Sequence, residues 1–254
     1  MTDDFFRSGP ELSTRGRRAA AAAGLLERAA ATLRLLHGDN LTGGGSCAAS
    51  SLACLEKWDD PACLAPPDSA AVLERDLVAC GRCALCRGDV CRIKGAGAMP
   101  APLMFVSGWP EAAAARAESL FAGEAGAMLG RMITAMKLTP ERVYVTCAVK
   151  CRPHDGRPPR PGEAEACRQF LEREIRLVRP KIICALGAFA AGRLLPSAEA
   201  LAAIRGRFHP LDGRPGGSTA VMPTWHPADV LDRPEKKRPL WDDLQAIMAA
   251  LPPV

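Results

Sequence analysis

Apolar residues in this chain gather in short blocks separated by longer amphipathic stretches, and the alternation starts near residue 71. Four blocks stand out: Leu103–Val106, Val143–Val149, Ile182–Leu186 and Ala220–Trp225. Each is nearly continuous in apolar character, the pattern of a strand covered on both faces. Helical spacing fills the intervals at about Glu124–Met136, Gly162–Val178 and Phe189–Leu195, with a last stretch at Leu240–Leu251. Strands alternating with amphipathic helices predict an α/β fold over residues 71–254. The expected form is a three-layer α/β/α sandwich around a central four-stranded, mainly parallel sheet. Ligands of such sheets sit beyond the carboxyl ends of the strands. Ser107-Gly108-Trp109-Pro110, Lys150-Cys151-Arg152-Pro153, Gly187-Ala188 and His226-Pro227 fall at those ends.

Residues 1–70 follow another pattern and read as an N-terminal helical and irregular extension. Ala19–Leu36, rich in Ala, Leu and Arg, predicts a helix. His37-Gly38-Asp39-Asn40 and Gly43-Gly44-Gly45 end it. Cys47, Cys54 and Cys63 follow among Pro61, Pro66 and Pro67 in spacings that match no metal-ligand template.

Composition narrows the class. Of 254 residues, 48% are hydrophobic and 24% charged, a globular balance that excludes wholesale disorder. No apolar run approaches the roughly 18 residues of a membrane span. Asp3-Asp4 stands where a secretory leader would be basic, so a cytoplasmic protein without membrane contact is expected. The net charge of +5 is uneven: residues 1–70 carry −2 and residues 71–254 carry +7. A basic body suits an anionic partner such as nucleic acid.

Eleven cysteines in a cytosolic chain point to metal or cofactor ligands before disulfides. Cys80 and Cys83 form a CxxC pair, and Cys151 and Cys167 lie sixteen positions apart. Two such pairs brought together would make a four-thiolate site for zinc or an iron–sulfur cluster. Cys80, Cys83, Cys86 and Cys91 together also lie one residue away from a bacterial ferredoxin run, without its following proline. Spacing leaves both arrangements open. Cys184, inside an apolar strand, reads as a core thiol.

The ordered set of motifs resembles the iron–sulfur (family 4) uracil-DNA glycosylases. It comprises Cys80-Gly-Arg-Cys83-Ala-Leu, Pro102-Leu-Met-Phe-Val106, Val143-Tyr-Val-Thr146 with Val149-Lys-Cys151-Arg-Pro153, and Cys167. It continues with Arg179-Pro-Lys-Ile-Ile-Cys-Ala-Leu-Gly187, Arg205-Gly206 and Thr224-Trp-His-Pro-Ala228. The resemblance covers about residues 75–250. It implies a 4Fe–4S cluster on Cys80, Cys83, Cys151 and Cys167, with a structural role, and sets Cys86 and Cys91 aside. It also implies a pocket that receives a nucleotide drawn out of DNA, because the glycosidic bond cannot be reached within the stack.

The same alignment departs from the family in the pocket. Val106-Ser-Gly-Trp-Pro-Glu111 runs without a gap to Leu120-Phe-Ala-Gly123, so the family's water-activating acid falls on Gly108. The family's base-reading Asn falls on Cys147. Glycine cannot orient water, and a thiol lacks an amide's paired donor and acceptor. Phe121 takes the family's base-stacking position, and His226 the imidazole that stabilises charge on the departing base. Trp109 is bulky where the family has Ala and is expected to fill the pocket or stack on a base. Glu111 is the candidate replacement acid, whereas Glu118 and Glu124 are expected to face solvent or cap a helix. Arg152, Arg157 and Arg160 form one basic loop for phosphates; Arg233, Lys236, Lys237 and Arg238 form another.

These residues frame a monomeric DNA glycosylase of altered or reduced activity on a damaged base, uracil or another deaminated one. Two rivals stand beside it. One is a silent DNA- or lesion-binding member of the same superfamily, and the other a ferredoxin-like electron carrier built on Cys80–Cys91.

Overall fold

The computed structural model describes residues 68–86, 92–197, 199–211 and 219–252. The helix expected over Ala19–Leu36, together with Cys47, Cys54, Cys63 and Cys91, lies outside them. All four expected strands are present: β2 (Leu103–Ser107), β3 (Val143–Cys147), β4 (Ile182–Leu186) and β6 (Ala220–Thr224). They pair in parallel in the order β3-β2-β4-β6. The sheet has six strands rather than four. β1 (Ala96–Gly97) adds antiparallel beside β3, and β5 (His209–Pro210) beside β6. Two-residue edge strands containing Gly or Pro carry no alternating pattern for a sequence reading to find.

Helices cover both faces, and strand alternation decides what each face buries. Leu103, Phe105, Val143, Val145, Ile182 and Cys184 point to one side. There they meet Leu129, Met132 and Ile133 of α3 (Gly123–Ala135) and Leu240, Leu244 and Ile247 of α8 (Lys237–Ala250). Met104, Val106, Tyr144, Ile183 and Ala185 point to the other. That side packs on Leu171 and Val178 of α4 (Pro161–Val178) and on Ala190, Ala191 and Leu194 of α5 (Gly187–Leu194). Cys184 is fully buried, the core thiol that its strand pattern predicts. The short helices α2 (Ala112–Ala117), α6 (Leu201–Ile204) and α7 (Pro227–Asp232) complete the described elements of this type.

One further helix precedes the first strand. α1 (Ala70–Val78) starts at Ser69, whose Oγ accepts the Val72 N–H at 3.3 Å. It buries Leu73 and Leu77 against Leu85 and Phe170. Arg173 of α4 ties it down, donating to Asp68 at 2.7 Å and to Asp76 at 3.0 Å. This helix and the Ala84–Cys86 turn that follows it place a group of cysteines beside the end of β3.

Candidate active site and metal centre

The carboxyl ends of the parallel strands converge on one cavity, where an open α/β sheet binds its ligands. Ser107 ends β2, Cys147 ends β3, Leu186 ends β4, and His226 follows β6; all four line it. Trp109, Pro110, Glu111, Leu120, Gly126 and Leu129 are among the residues that close the rest. The cavity holds about 30 Å³.

His226 caps α7, its Nδ1 accepting the Ala228 N–H at 3.2 Å. Burial lowers the imidazole pKa below its usual value, outweighing the opposing pull of Asp229. The ring is therefore neutral at pH 7, and because Nδ1 is an acceptor, its proton belongs on Nε2. Gly187 makes room for this ring. Its φ of +86° lies in the glycine-favouring region, and a Cβ there would come within 3.2 Å of the His226 Cβ. The strand end is held from behind. Thr224 Oγ1 donates to Asp243, which also takes Arg205, while Arg205 Nη2 donates to the Pro239 carbonyl.

Glu111 reaches the opposite wall at the start of α2. Burial raises its carboxyl pKa above the ordinary range; Arg152 pulls it back and Asp232 adds to the rise. Arg152 itself donates to the Pro110 carbonyl at 3.2 Å, so it braces the loop that carries Glu111. Gly108 is not on the cavity wall. A Cβ built on it would meet the Phe189 ring at 3.3 Å, a tight contact that a side chain there would have to relieve by shifting the ring. Phe189 also carries Trp109 edge-on, with ring centroids 5.0 Å apart and planes at 86°.

Cys147 sits on the wall beside Ser107, with Sγ and Oγ 3.0 Å apart. Burial pushes its thiol pKa up to about 11, with Ser107 and Lys150 opposing, so it is a neutral weak donor rather than a nucleophile. Phe121 departs from the position the resemblance implies. It is buried in the core with Leu129 and Met132 and is not among the residues lining the cavity, because Gly126 lets the preceding loop press onto α3. Glu118 and Glu124 are exposed, as expected.

From Cys147 the chain runs straight into the cysteine group. Ala148 N–H donates to Ser107 O at 2.8 Å and Val149 N–H to Gly108 O at 2.9 Å. Lys150 N–H donates to Cys167 Sγ at 3.3 Å, and Ile93 N–H to the Lys150 carbonyl at 2.8 Å. The Lys150 side chain turns inward. Its Nζ lies 2.5 Å from Glu174 and 2.8 Å from the Cys147 carbonyl, and it also donates to Thr146 Oγ1. Glu174 accepts from Tyr144 and Thr146 as well. Lys150 is 1% exposed and Glu174 3%, so this is a buried, fully hydrogen-bonded ion pair.

Cys80, Cys83, Cys86, Cys151 and Cys167 gather in one apolar nest with Leu73, Leu77, Leu85 and Phe170, and all are free thiols. Cys86, which the sequence reading set aside, lies in the middle. Its Sγ is 3.7 Å from Cys80, 3.8 Å from Cys83 and 3.9 Å from Cys151. Arg92 Nη2 holds the loop by donating to the carbonyls of Cys80 and Cys86, and its backbone bridges to Cys151. Among the described residues, no three His, Cys, Asp or Glu side chains already surround a single ion-sized point. The donor set nevertheless fits a thiolate-bound centre: three buried thiols, Cys86, Cys151 and Cys167, gather with the half-buried Cys80 and Cys83 as soft ligands. Burial raises the thiol pKa values of Cys80, Cys83, Cys151 and Cys167, that of Cys167 up to about 11, and a bound metal would displace those protons to solvent.

The arginines proposed for phosphates are divided. Arg157 forks onto Glu163 at 2.7 and 2.8 Å, and Arg160 N–H joins the same carboxylate, closing the start of α4. Arg157 thus serves the helix. Arg160 and Arg233 are exposed, and Lys236 stands 4.0 Å over the Trp225 ring.

Comparison with known proteins now adds a family. Residues 95–245 match the model described as uracil DNA glycosylase superfamily. A type-4 uracil-DNA glycosylase of Archaeoglobus fulgidus is 32% identical over 181 residues, covering 68% of this chain and 88% of its own. The enzyme of that name from Saccharolobus solfataricus is 31% identical over 189 residues, 72% of this chain and 87% of its own. The one from Sulfurisphaera tokodaii is 29% identical over 185 residues, 71% and 84%.

Proposed function

The chain belongs to the uracil DNA glycosylase superfamily, and on that premise we propose that it hydrolyses the N-glycosidic bond of a damaged base in DNA. Uracil or another deaminated base is the substrate class, and the activity is altered or reduced relative to the type-4 relatives. The observation that carries this reading is His226 in the cavity lining, neutral and with its Nδ1 taken by the Ala228 N–H, which leaves the ring proton on Nε2. As the C1′–N bond breaks, its electron pair leaves with the base and charge develops on the base oxygen. A fixed Nε2–H donor stabilises that charge without giving up its proton. Water adds at C1′, and its proton passes to Glu111, whose raised pKa suits a general base. Trp109 forms the wall against which an extruded base would lie. Arg160 and Arg233 are the exposed cations for the DNA backbone.

Cys80, Cys83, Cys151 and Cys167 would hold the 4Fe–4S cluster, with zinc the alternative. The group supplies a clamp rather than chemistry: it would fix the Cys80–Cys86 segment to the loop after β3. The four free thiols around Val149 and Phe170 support this assignment.

A second reading, a silent lesion-binding member of the superfamily, is favoured by one observation. Trp109, Leu120 and Leu129 crowd the cavity where a base would enter. Gly108 and Cys147 point the same way. Anaerobically purified protein on oligonucleotides carrying one uracil, hypoxanthine or xanthine separates the readings. Base release that disappears in His226→Ala supports the enzyme; lesion binding with no release from any substrate supports the silent reading.

A further inference from the structure

We propose that Cys86 is a metal-ligating thiol, so that the nest offers five donors where a four-coordinate thiolate site needs four. The placement is specific. Cys86 is within 3.9 Å of three other sulfurs at once, whereas Cys167 Sγ is engaged by the Lys150 N–H. Zinc–sulfur bonds of about 2.3 Å set tetrahedral sulfur–sulfur edges of about 3.8 Å, and all three Cys86 distances fall within 0.1 Å of that. Cys80, Cys83, Cys86 and Cys151 thus offer four thiols without Cys167, with three contacts meeting at Cys86 and the group not yet closed round one ion-sized point.

The loop that carries Cys86 is built to aim it. Ala84–Cys86 forms one turn of 3₁₀ helix, which brings position 86 back over Cys80 and Cys83. Arg92 then grips the carbonyls of Cys80 and Cys86 together. Packing does not require sulfur here, because Leu85, Leu73, Leu77 and Phe170 already supply the apolar contact. What an Ala at 86 would lack is a donor. On metal binding each ligating thiol gives its proton to solvent and its electron pair to the metal, with no change of oxidation state in the protein.

Five donors for four positions imply redundancy, and redundancy has a measurable signature. Full-length chain with Cys86→Ala, Cys167→Ala and both substitutions is purified without oxygen. Iron, acid-labile sulfide and zinc are counted per chain, and the visible absorption of thiolate-bound iron is recorded. The expected result is that Cys167→Ala retains bound metal and the double variant loses it. A Cys86→Ala protein that alone loses metal would also support the assignment, by making Cys86 obligatory. The proposal is overturned if Cys167→Ala is as metal-free as the double variant, or if the double variant stays loaded. Cys167→Ser is run beside Cys167→Ala as a milder change of volume; failure of both to give soluble, loaded protein counts against Cys86 as a replacement ligand. None of these readouts depends on base release, so the outcome stands whichever functional reading holds.

Discussion

Glu174→Gln is the sharpest perturbation of the segment joining the cavity to the thiol nest. Gln keeps the volume and an acceptor for Tyr144 and Thr146, so the substitution removes little except the charge. Lys150 remains, 1% exposed, with its ammonium facing Thr146 Oγ1 and the Cys147 carbonyl but no anion. Stripping one partner from a buried pair costs about 3–5 kcal/mol, because the surviving charge stays out of water uncompensated. In a protein of this size that lowers the melting temperature by roughly 6–20 °C. Urea unfolding followed by circular dichroism should show an earlier midpoint at unchanged slope. High salt should leave the loss intact, since a pair this deep is poorly screened. Replacing both partners by apolar residues, Lys150→Met with Glu174→Leu, should recover most of the stability. A loss below about 1 kcal/mol for Glu174→Gln, the range of an exposed pair, would refute the argument.

Four other outcomes follow from the cavity. His226→Ala should lower kcat for base release about 10²–10³-fold, the usual loss of one preorganised donor, with little change in DNA affinity by fluorescence anisotropy. Glu111→Gln should cost about 10²–10⁴-fold if its carboxylate activates water. In the unaltered protein the rate should fall as pH drops through the raised pKa of Glu111, because a protonated carboxyl cannot accept; His226 stays neutral to lower pH than a free imidazole, and the acid limb should shift in Glu111→Gln. Trp109→Ala should enlarge the cavity and raise kcat/KM on uracil about tenfold.

Several of these residues could be read from sequence, and the failures have identifiable causes. The four parallel strands were legible because both their faces are buried, which leaves apolar residues at almost every position. α1 was not, since it buries only Leu73 and Leu77 and is held by Arg173 across about a hundred residues of sequence. Cys147 and His226 follow from strand ends, and both line the cavity. Phe121 does not, because Gly126 of α3 lets its loop backbone press close, a tertiary accident that a motif register does not record. Arg157 reads as a phosphate ligand only until Glu163 appears beside it. Gly108 is informative for the opposite reason: sequence shows a missing acid, while packing shows that any side chain there would press on the Phe189 ring.

The cysteine nest also has a topological meaning. Cys86 and Cys151 are 65 positions apart, so any ion shared between them would close a long loop in the unfolded chain as well as in the folded one. By the chain-entropy reckoning applied to disulfides, closing a loop of that length is worth about 4 kcal/mol. The timing is constrained too. On the ribosome the Cys80–Cys86 strap emerges long before its partner, and it has to wait through the whole of β1, β2, α3 and β3 for Cys151 to appear. A nascent chain therefore carries three closely spaced thiols with nothing to close upon, and capture of a metal by that early triplet would compete with assembly of the finished nest.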